Sequence, residues 1–329
     1  MCYSAMVEQD AKKLARQFDA EVQIKMYAEL FQRRLDGEKL YINKAMEIPF
    51  LTNAKTMDER SVGVAIRKWH ENEINRLTRE LEKQEMRLVN ALQELEKKET
   101  KKAQEDKRIS TSKISKCKLD LERHESEKLE SESESRIYPL HYASLLCLNE
   151  KNERVIMPMR YLMRPHNETE DFDRTHNGCY NARFDSLTKV AFWRDSLEKR
   201  RGIMVVRKFY ETVPLEKYPN KKTLSTELKE KDNIVVCFEP QGVEEMYIPV
   251  IWDCWRRKGE SALYTAALIT DDPAPEVKAT GHDRTPIFLK ASAIDSWLYA
   301  TGTGKEIKEG ALLDREKPYY GHKVLGVAS

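Results

Sequence analysis

The sequence predicts an α+β fold: a mostly antiparallel β core with flanking helices, interrupted by a long antiparallel helical hairpin. Three observations predict it. From about Ile137 onward the chain is a succession of short apolar runs, "YASLLCL", "RVIMPM", "GIMVV", "NIVVCF", "EMYIPVIW", "ALYTAALIT" and "TPIFL". They are separated by Pro, Gly and Asn/Asp turns, which is the punctuation of strands joined by tight connections. The middle of the chain lacks that punctuation: no proline falls between Pro49 and Pro139, and no glycine between Gly63 and Gly178. Ahead of it, Gln9 to Phe31 mixes charged and apolar residues with a helical period.

The elements follow in order. Residues 1–55 and 137–329 are read as two parts of one domain, and 56–136 as a coiled-coil insertion. Within the insertion Ile74, Leu81, Leu88 and Leu95 recur every seven residues, with Leu77 and Ala91 alongside. Ile114, Cys117, Leu121 and His124 continue at three-and-four spacing, the pattern of a coiled coil. Between 56 and 136 there are 19 basic and 19 acidic residues. A balanced face of this kind is solvated and suits a spacer or a partner-binding hairpin, whereas a nucleic-acid arm carries excess positive charge. One continuous helix of that length would set its ends roughly 120 Å apart at ~1.5 Å per residue. Both ends belong to one domain, so the insertion is expected to reverse, within "KKETKKAQEDKR" at 97–108. It is expected to bind protein or a second copy of itself. A last short helix is expected at "ASAIDSWLYA".

Composition narrows the function. Net charge is +2 over 329 residues, so any nucleic-acid surface must be a local patch. The start of the chain shows no secretory signal, and its longest apolar runs are strand-length, so no membrane association is expected. Cys2, Cys117, Cys147, Cys179, Cys237 and Cys254 form no C-x-x-C pair and do not group with the seven histidines. No metal is expected. Neither G-x-x-x-x-G-K nor G-x-G-x-x-G occurs, and no cofactor is expected.

Four stretches in the β-rich part carry chemistry: "PMRYLMRP" (158–165), "YNARFDSL" (180–187), "RKFYETV" (207–213) and "GHDRTPIFL" (281–289). Each has a plain reading. Glu211 fits a surface carboxylate, His282 a turn histidine, Asn181 a turn residue and Arg183 an ion-pair partner. With Cys2 directly behind the initiator methionine, and in this order, they resemble the SOS-response-associated peptidase (SRAP) family of abasic-site-processing proteins. That family begins M-C-G-R and continues with M-R-W-G-L-x-P, N-A-R, G-F-Y-E-W and H-x-R-M-P. Here the matching residues are Met159-Arg160-Tyr161-Leu162, Asn181-Ala182-Arg183, Phe209-Tyr210-Glu211 and His282-Asp283-Arg284-Thr285-Pro286. Tyr3 and Ser4 replace the family's glycine and arginine, Tyr161 its tryptophan, and Lys208 and Thr212 flank the Phe209–Glu211 motif. The insertion is absent from the common pattern.

The resemblance implies a SRAP-like fold and a DNA-damage function. Removal of Met1 would leave Cys2 with an α-amine and a thiol on one carbon. The amine forms a Schiff base with the aldehyde of an abasic site in single-stranded DNA. The thiol then closes a thiazolidine, a covalent DNA–protein crosslink. Glu211 would act as general acid/base, His282 would assist proton transfer at the sugar, and Asn181 would orient the terminus. Arg183, Arg160 and Arg284 would grip DNA, and Tyr161 would stack on a base. The implied setting is cytoplasmic and nucleoid-associated in a bacterium or phage, nuclear in a eukaryote. Two other readings remain: a thiol (auto)peptidase acting on protein, and a catalytically silent scaffold that recruits partners through the coiled coil.

Overall fold

The computed structural model describes residues 3–129, 131–219, 221, 232–257, 259 and 261–327. Met1 and Cys2 lie outside the described residues. The first third runs β1 (Ser4–Val7), α1 (Ala11–Phe18), β2 (Glu21–Val22), α2 (Ile24–Leu35), α3 (Lys44–Thr52), α4 (Met57–Lys97) and α5 (Lys101–Glu125). The middle continues β3 (Arg136–Ile137), β4 (Tyr142–Leu148), β5 (Arg154–Tyr161), α6 (Phe172–Thr175), β6 (Asn181–Arg183), α7 (Ala191–Lys199) and β7 (Arg201–Pro214). The last third is β8 (Asn233–Pro240), β9 (Met246–Trp255), β10 (Leu263–Asp271), α8 (Pro275–Ala279), β11 (Thr285–Pro286), α9 (Ile294–Leu298), α10 (Gly304–Gly310) and β12 (Tyr320–Val327). The architecture is α+β, as the sequence predicts.

The chain divides into two compact units. The first holds the residues up to Tyr27, then Leu40–Met46 and everything from Glu132 onward. All the strands join in one sheet whose main path is β11-β10-β5-β4-β7-β1-β3. Most pairings are antiparallel; β10 runs parallel to β5 and β6, and β2 parallel to β5. Strand β7 is the hub. Its apolar first half, "GIMVV", is buried between β9 and β4, while its second half pairs with β1 on one side and β8 on the other. Gly202 permits this: a Cβ there would lie 2.6 Å from the Leu146 carbonyl oxygen. Next to it, the buried Arg201 donates to the carbonyls of Leu197, Glu198, Trp297, Leu298 and Ala300, which satisfies the open C-terminal ends of α7 and α9. The predicted helix "ASAIDSWLYA" is a 3-10 turn, Ala291–Ala293, leading into α9, whose Trp297 is fully buried.

The second unit holds Ala28–Lys39 and Glu47–Ser131. It is built on α4 and α5, antiparallel partners joined at Lys98–Thr100, at the start of the 97–108 stretch. Thr56 and Glu59 form a reciprocal capping box at the start of α4, and the Thr100 side chain caps α5. The bonds Arg67–Glu127, His70–His124, Glu80–Lys113 and Arg87–Asp106 fix the register. They set Leu77, Gln84 and Ala91 level with Cys117, Ser110 and Ala103, and these six are the buried seam. The heptad Ile74, Leu81, Leu88, Leu95 is half-buried beside that seam, because small residues on α5 draw the helices together along the neighbouring stripe. At the base of the hairpin the unit takes in α2 and α3 residues too. Arg34 pairs with Glu47 at 2.5 Å, Glu47 with His70 at 2.8 Å, and the Arg34 guanidinium covers the Trp69 ring at 3.8 Å. Phe31 meets Phe50 edge-on.

Candidate active site

The site is assembled at the meeting of β1, β7 and the loop after α8, all in the first unit. Strand β1 lies antiparallel to β7 with Ser4 opposite Tyr210 and Ala5 opposite Phe209. That register delivers the backbone N–H of Tyr3 to the Glu211 carboxyl group. Glu211 is 1% exposed. Burial is the main influence on its carboxyl and holds its pKa well above the usual carboxylate value, against the lowering effect of the Tyr3 amide. Its carboxyl group therefore holds a proton more readily than an exposed glutamate does.

His282 completes the pair, its Nε2 3.2 Å from Glu211 Oε2. Its other nitrogen, Nδ1, lies 3.1 Å from the Arg284 carbonyl oxygen. Burial pushes the imidazole down to about 4, so the ring is neutral at physiological pH. The ring thus turns Nε2 to the Glu211 carboxyl group and Nδ1 to the backbone of Arg284, whose N–H also lies 3.4 Å from Nδ1. The backbone that presents His282 depends on Gly281. Its φ of +91° is the left-handed region, and a Cβ would sit 2.6 Å from the Lys217 carbonyl oxygen. The resulting pair sets a carboxyl group whose pKa is raised by burial against a neutral imidazole.

The remaining predicted residues fall into two groups. Asn181, 6% exposed, and Arg183 lie on β6 along the C-terminal half of β10, with Leu268 opposite Asn181 and Thr270 opposite Arg183. Strand β11, which follows the His282 loop, pairs with the same end of β10. The Tyr180 ring, one residue before Asn181, lies 6.5 Å from that of Tyr3. Arg183 is held by Asp185 at 2.9 Å, on an exposed edge, and Arg284 lies beside Asp283. Asn181 and Arg183 thus lie along the end of β10 that also pairs with β11, and Arg284 lies on the His282 loop.

Arg160 and Tyr161 are placed otherwise. Arg160 and Arg164 both grip Asp173, at 2.8 and 2.5 Å. Burial works to raise the Asp173 carboxyl, but the two guanidiniums outweigh it and hold it below its usual value. Arg160 is 8% exposed, and this clamp leaves its guanidinium committed to the fold. Tyr161 is fully buried with its ring edge-on to Tyr180 at 5.6 Å, so it has no face to offer a base. The M-R-Y motif packs the wall behind the site. Cys2 falls outside the described residues.

Arg136 is a site neighbour that the sequence reading passed over. Its guanidinium donates twice to the Ser4 hydroxyl, at 2.7 and 3.0 Å, and lies 3.7 Å from the Tyr210 ring centre. As the last charge of the insertion it looks like part of that block, and only the strand pairing of β1 with β3 brings it here. Among the described residues no group of three or more His, Cys, Asp or Glu side chains is arranged to hold a metal ion. Among them, too, no helix is long and apolar enough to cross a membrane.

A sheet with β1 threaded against β7 thus sets a buried glutamate–histidine pair beside the first strand of the sheet. Residues 97–324 match the SOS response associated peptidase (SRAP) family, and the chain belongs to it. The abasic site processing protein HMCES of Gallus gallus is 29% identical over 161 residues, 45% of this chain and 46% of that protein. The chain thus matches about half the length of that relative. Among solved structures, a Bacteroides thetaiotaomicron protein superposes with TM-score 0.45 at 16% identity, covering 57% of this chain and 76% of its own. A phage-related protein of Bordetella bronchiseptica gives TM-score 0.43 at 14% identity, covering 58% and 80%.

Proposed function

We propose that this chain is a DNA-damage response protein that processes abasic sites in single-stranded DNA by crosslinking to them through Cys2. The observation that carries the reading is the bond from the Tyr3 amide to Glu211. The carbonyl carbon of Cys2 is bonded to that same nitrogen, so the proton carrier is stationed at the N-terminal residue of the processed chain. The similarity to an abasic site processing protein supports the substrate.

The chemistry balances with the residues present. Removal of Met1 exposes the α-amine, whose reference pKa of about 7.7–8.0 leaves a useful neutral fraction. The amine adds to the C1′ aldehyde of the open sugar, and loss of water gives an imine. The Cys2 thiol adds to the imine carbon, its proton passing to the nitrogen, and a five-membered thiazolidine closes. Glu211 supplies a proton to the departing oxygen and recovers one from the attacking amine. His282, neutral and hydrogen-bonded to Glu211, relays protons at the sugar. Asn181 orients the sugar, and Arg183 and Arg284 hold flanking phosphates. The peptidase reading asks His282 to activate a thiol, but its Nε2 is engaged by Glu211.

The test is incubation of the processed protein with a single-stranded oligonucleotide carrying one abasic site, followed by a denaturing gel. A retarded band is expected from the native protein and none from Cys2→Ala. No band from either supports the scaffold, and an undiminished, heat-stable band from the variant sinks the thiazolidine.

A further inference from the structure

A row of aromatic rings leads away from the site. Tyr3, whose amide bonds Glu211, has its ring 5.8 Å from Tyr138; Tyr138 lies 5.5 Å from His141; and His141 is stacked on Tyr41 at 5.5 Å and 12°. Large aromatics are normally covered, yet Tyr3 and Tyr41 are 44% and 39% exposed, and Tyr138 and His141 are half-buried. The rings are also held in place. His141 Nδ1 bonds Asn43 Oδ1 at 2.9 Å, and Asn43 Nδ2 donates to the Arg136 carbonyl at 2.7 Å. The Tyr41 carbonyl accepts from the Tyr142 amide at 2.9 Å, fixing its backbone against β4. Burial drives the His141 pKa down to about 4, so the row is uncharged at neutral pH.

We propose that this row is a stacking platform for the unpaired strand flanking the reacting sugar, with Tyr41, His141 and Tyr138 each taking a base. The proposal rests on the abasic-site reading for the identity of the strand. Four features choose this occupant. The row is continuous with the proton carrier through Tyr3. The members of the row carry no carboxylate, and the Arg136 guanidinium lies 4.9 Å from the Tyr138 ring. The rings lie at 71°, 57° and 12° to their neighbours along the row, so they suit bases splayed along a bent single strand and not the parallel stack of a duplex. Finally, Tyr161 is buried and cannot serve as the platform. Stacking of this kind is tolerant of sequence, since every base has a π-face.

The experiment measures binding of a fluorescent, undamaged single-stranded dodecamer by anisotropy across a salt series, together with crosslinking of an abasic oligonucleotide. Tyr41→Ala and Tyr138→Ala should each weaken binding by about 5- to 150-fold. The slope of log K against log salt should stay unchanged, because no phosphate contact is lost. In crosslinking, the half-saturating DNA concentration should rise while the maximal rate holds. Tyr41→Ile keeps the apolar bulk and should still lose affinity, whereas Tyr41→Trp should retain or tighten it; these guard against a variant that merely unfolds. Unaltered affinity in Tyr41→Ile overturns the platform, as does a shift in salt slope equal to a lost ion contact. Ring-dependent binding of the dodecamer without any adduct on abasic DNA would leave the platform standing and refute the crosslinking reading, so the two fail separately.

Discussion

Replacing Glu211 by glutamine isolates the proton from the geometry around it. Glutamine has the same shape: its carbonyl accepts from the Tyr3 amide, and its NH₂ faces His282 Nε2, which lies 3.2 Å from Glu211 Oε2. What disappears is the transferable proton. General acid/base catalysis contributes about 10²–10⁴-fold, or about 2.7–5.5 kcal/mol of barrier, and Glu211→Gln should slow crosslinking by that factor under single turnover. Stability should move the other way. The folded-state pKa of Glu211 is raised by burial above the unfolded value of about 4.3. Between those two values the folded chain holds a proton that the unfolded chain has released, so the native protein loses stability as pH rises through that window. His282 has the opposite sign: its fall from 6.5 to about 4 means stability is lost as pH drops from 6.5 toward 4, by about 3 kcal/mol. Both proteins keep His282, so that part largely cancels. The melting temperature of Glu211→Gln relative to native should therefore grow more favourable from pH 5 to pH 8. Time courses on denaturing gels and thermal melts at three pH values make the assay. An unchanged rate removes Glu211 from the chemistry, and a difference in melting temperature that is flat with pH refutes its raised pKa.

Three further outcomes are expected. Arg183→Ala should lower the slope of log K against log salt by about one in DNA-binding titrations, if a phosphate displaces Asp185 from its guanidinium; an unchanged slope leaves Arg183 with Asp185. Gly281→Ala forces a Cβ into the Lys217 carbonyl at a positive φ, so it should destabilise by about 1–3 kcal/mol in denaturant titrations and slow crosslinking by displacing His282. Gln84→Leu should raise the melting temperature, because the buried Gln84 Oε1 has no hydrogen-bond partner among the described residues and its removal recovers about 1–3 kcal/mol of desolvation.

The strands were legible because apolar runs bounded by turn residues admit few other structures: "YASLLCL" is β4 residue for residue. The pairing partners were not, since Asn181 and Glu211 meet their neighbours through β10 and β1, far away in sequence. Motif order points to Glu211 and His282, which the structure brings within 3.2 Å of each other, but the motif letters do not state burial. They could not reveal that Tyr161 is enclosed or that Arg160 is locked to Asp173. Arg136 and the ring row were invisible for a related reason. Tyr41, Tyr138 and His141 flank the two ends of the insertion, where family motifs are silent, and only β-pairing draws them beside Tyr3. In the hairpin, heptad counting finds the helices and sets Leu77 and Ala91 beside the Ile74–Leu95 row, whereas the structure centres the seam on Leu77, Gln84 and Ala91, because the small Ala103 and Ser110 of α5 set the closest approach there.

The packing at the base of the hairpin governs how the insertion can be removed. Excising residues 60–133 takes away Val62, Ile66, Trp69 and His70. Arg34 and Glu47, 3% and 2% exposed, would keep their mutual bond but lose the Trp69 ring and the His70 imidazole that enclose them. The loss comes from the packing around the pair: the Trp69 face over the Arg34 guanidinium goes, and the buried Phe31 and Phe50 lose apolar cover at the same time. A cut made at the Leu77–Cys117 level behaves differently. Deleting 79–115 and joining the arms with a short glycine-containing turn keeps the His70–His124 contact, the Arg34–Glu47 pair and the Leu77 layer, and removes the Gln84–Ser110 and Ala91–Ala103 layers. The shortened protein should melt cooperatively and crosslink an abasic oligonucleotide at the native rate, while the 60–133 deletion should melt early or aggregate. If the shortened protein folds by circular dichroism yet loses crosslinking, the distal hairpin takes part in handling DNA, and its balanced charge has misled us about its role.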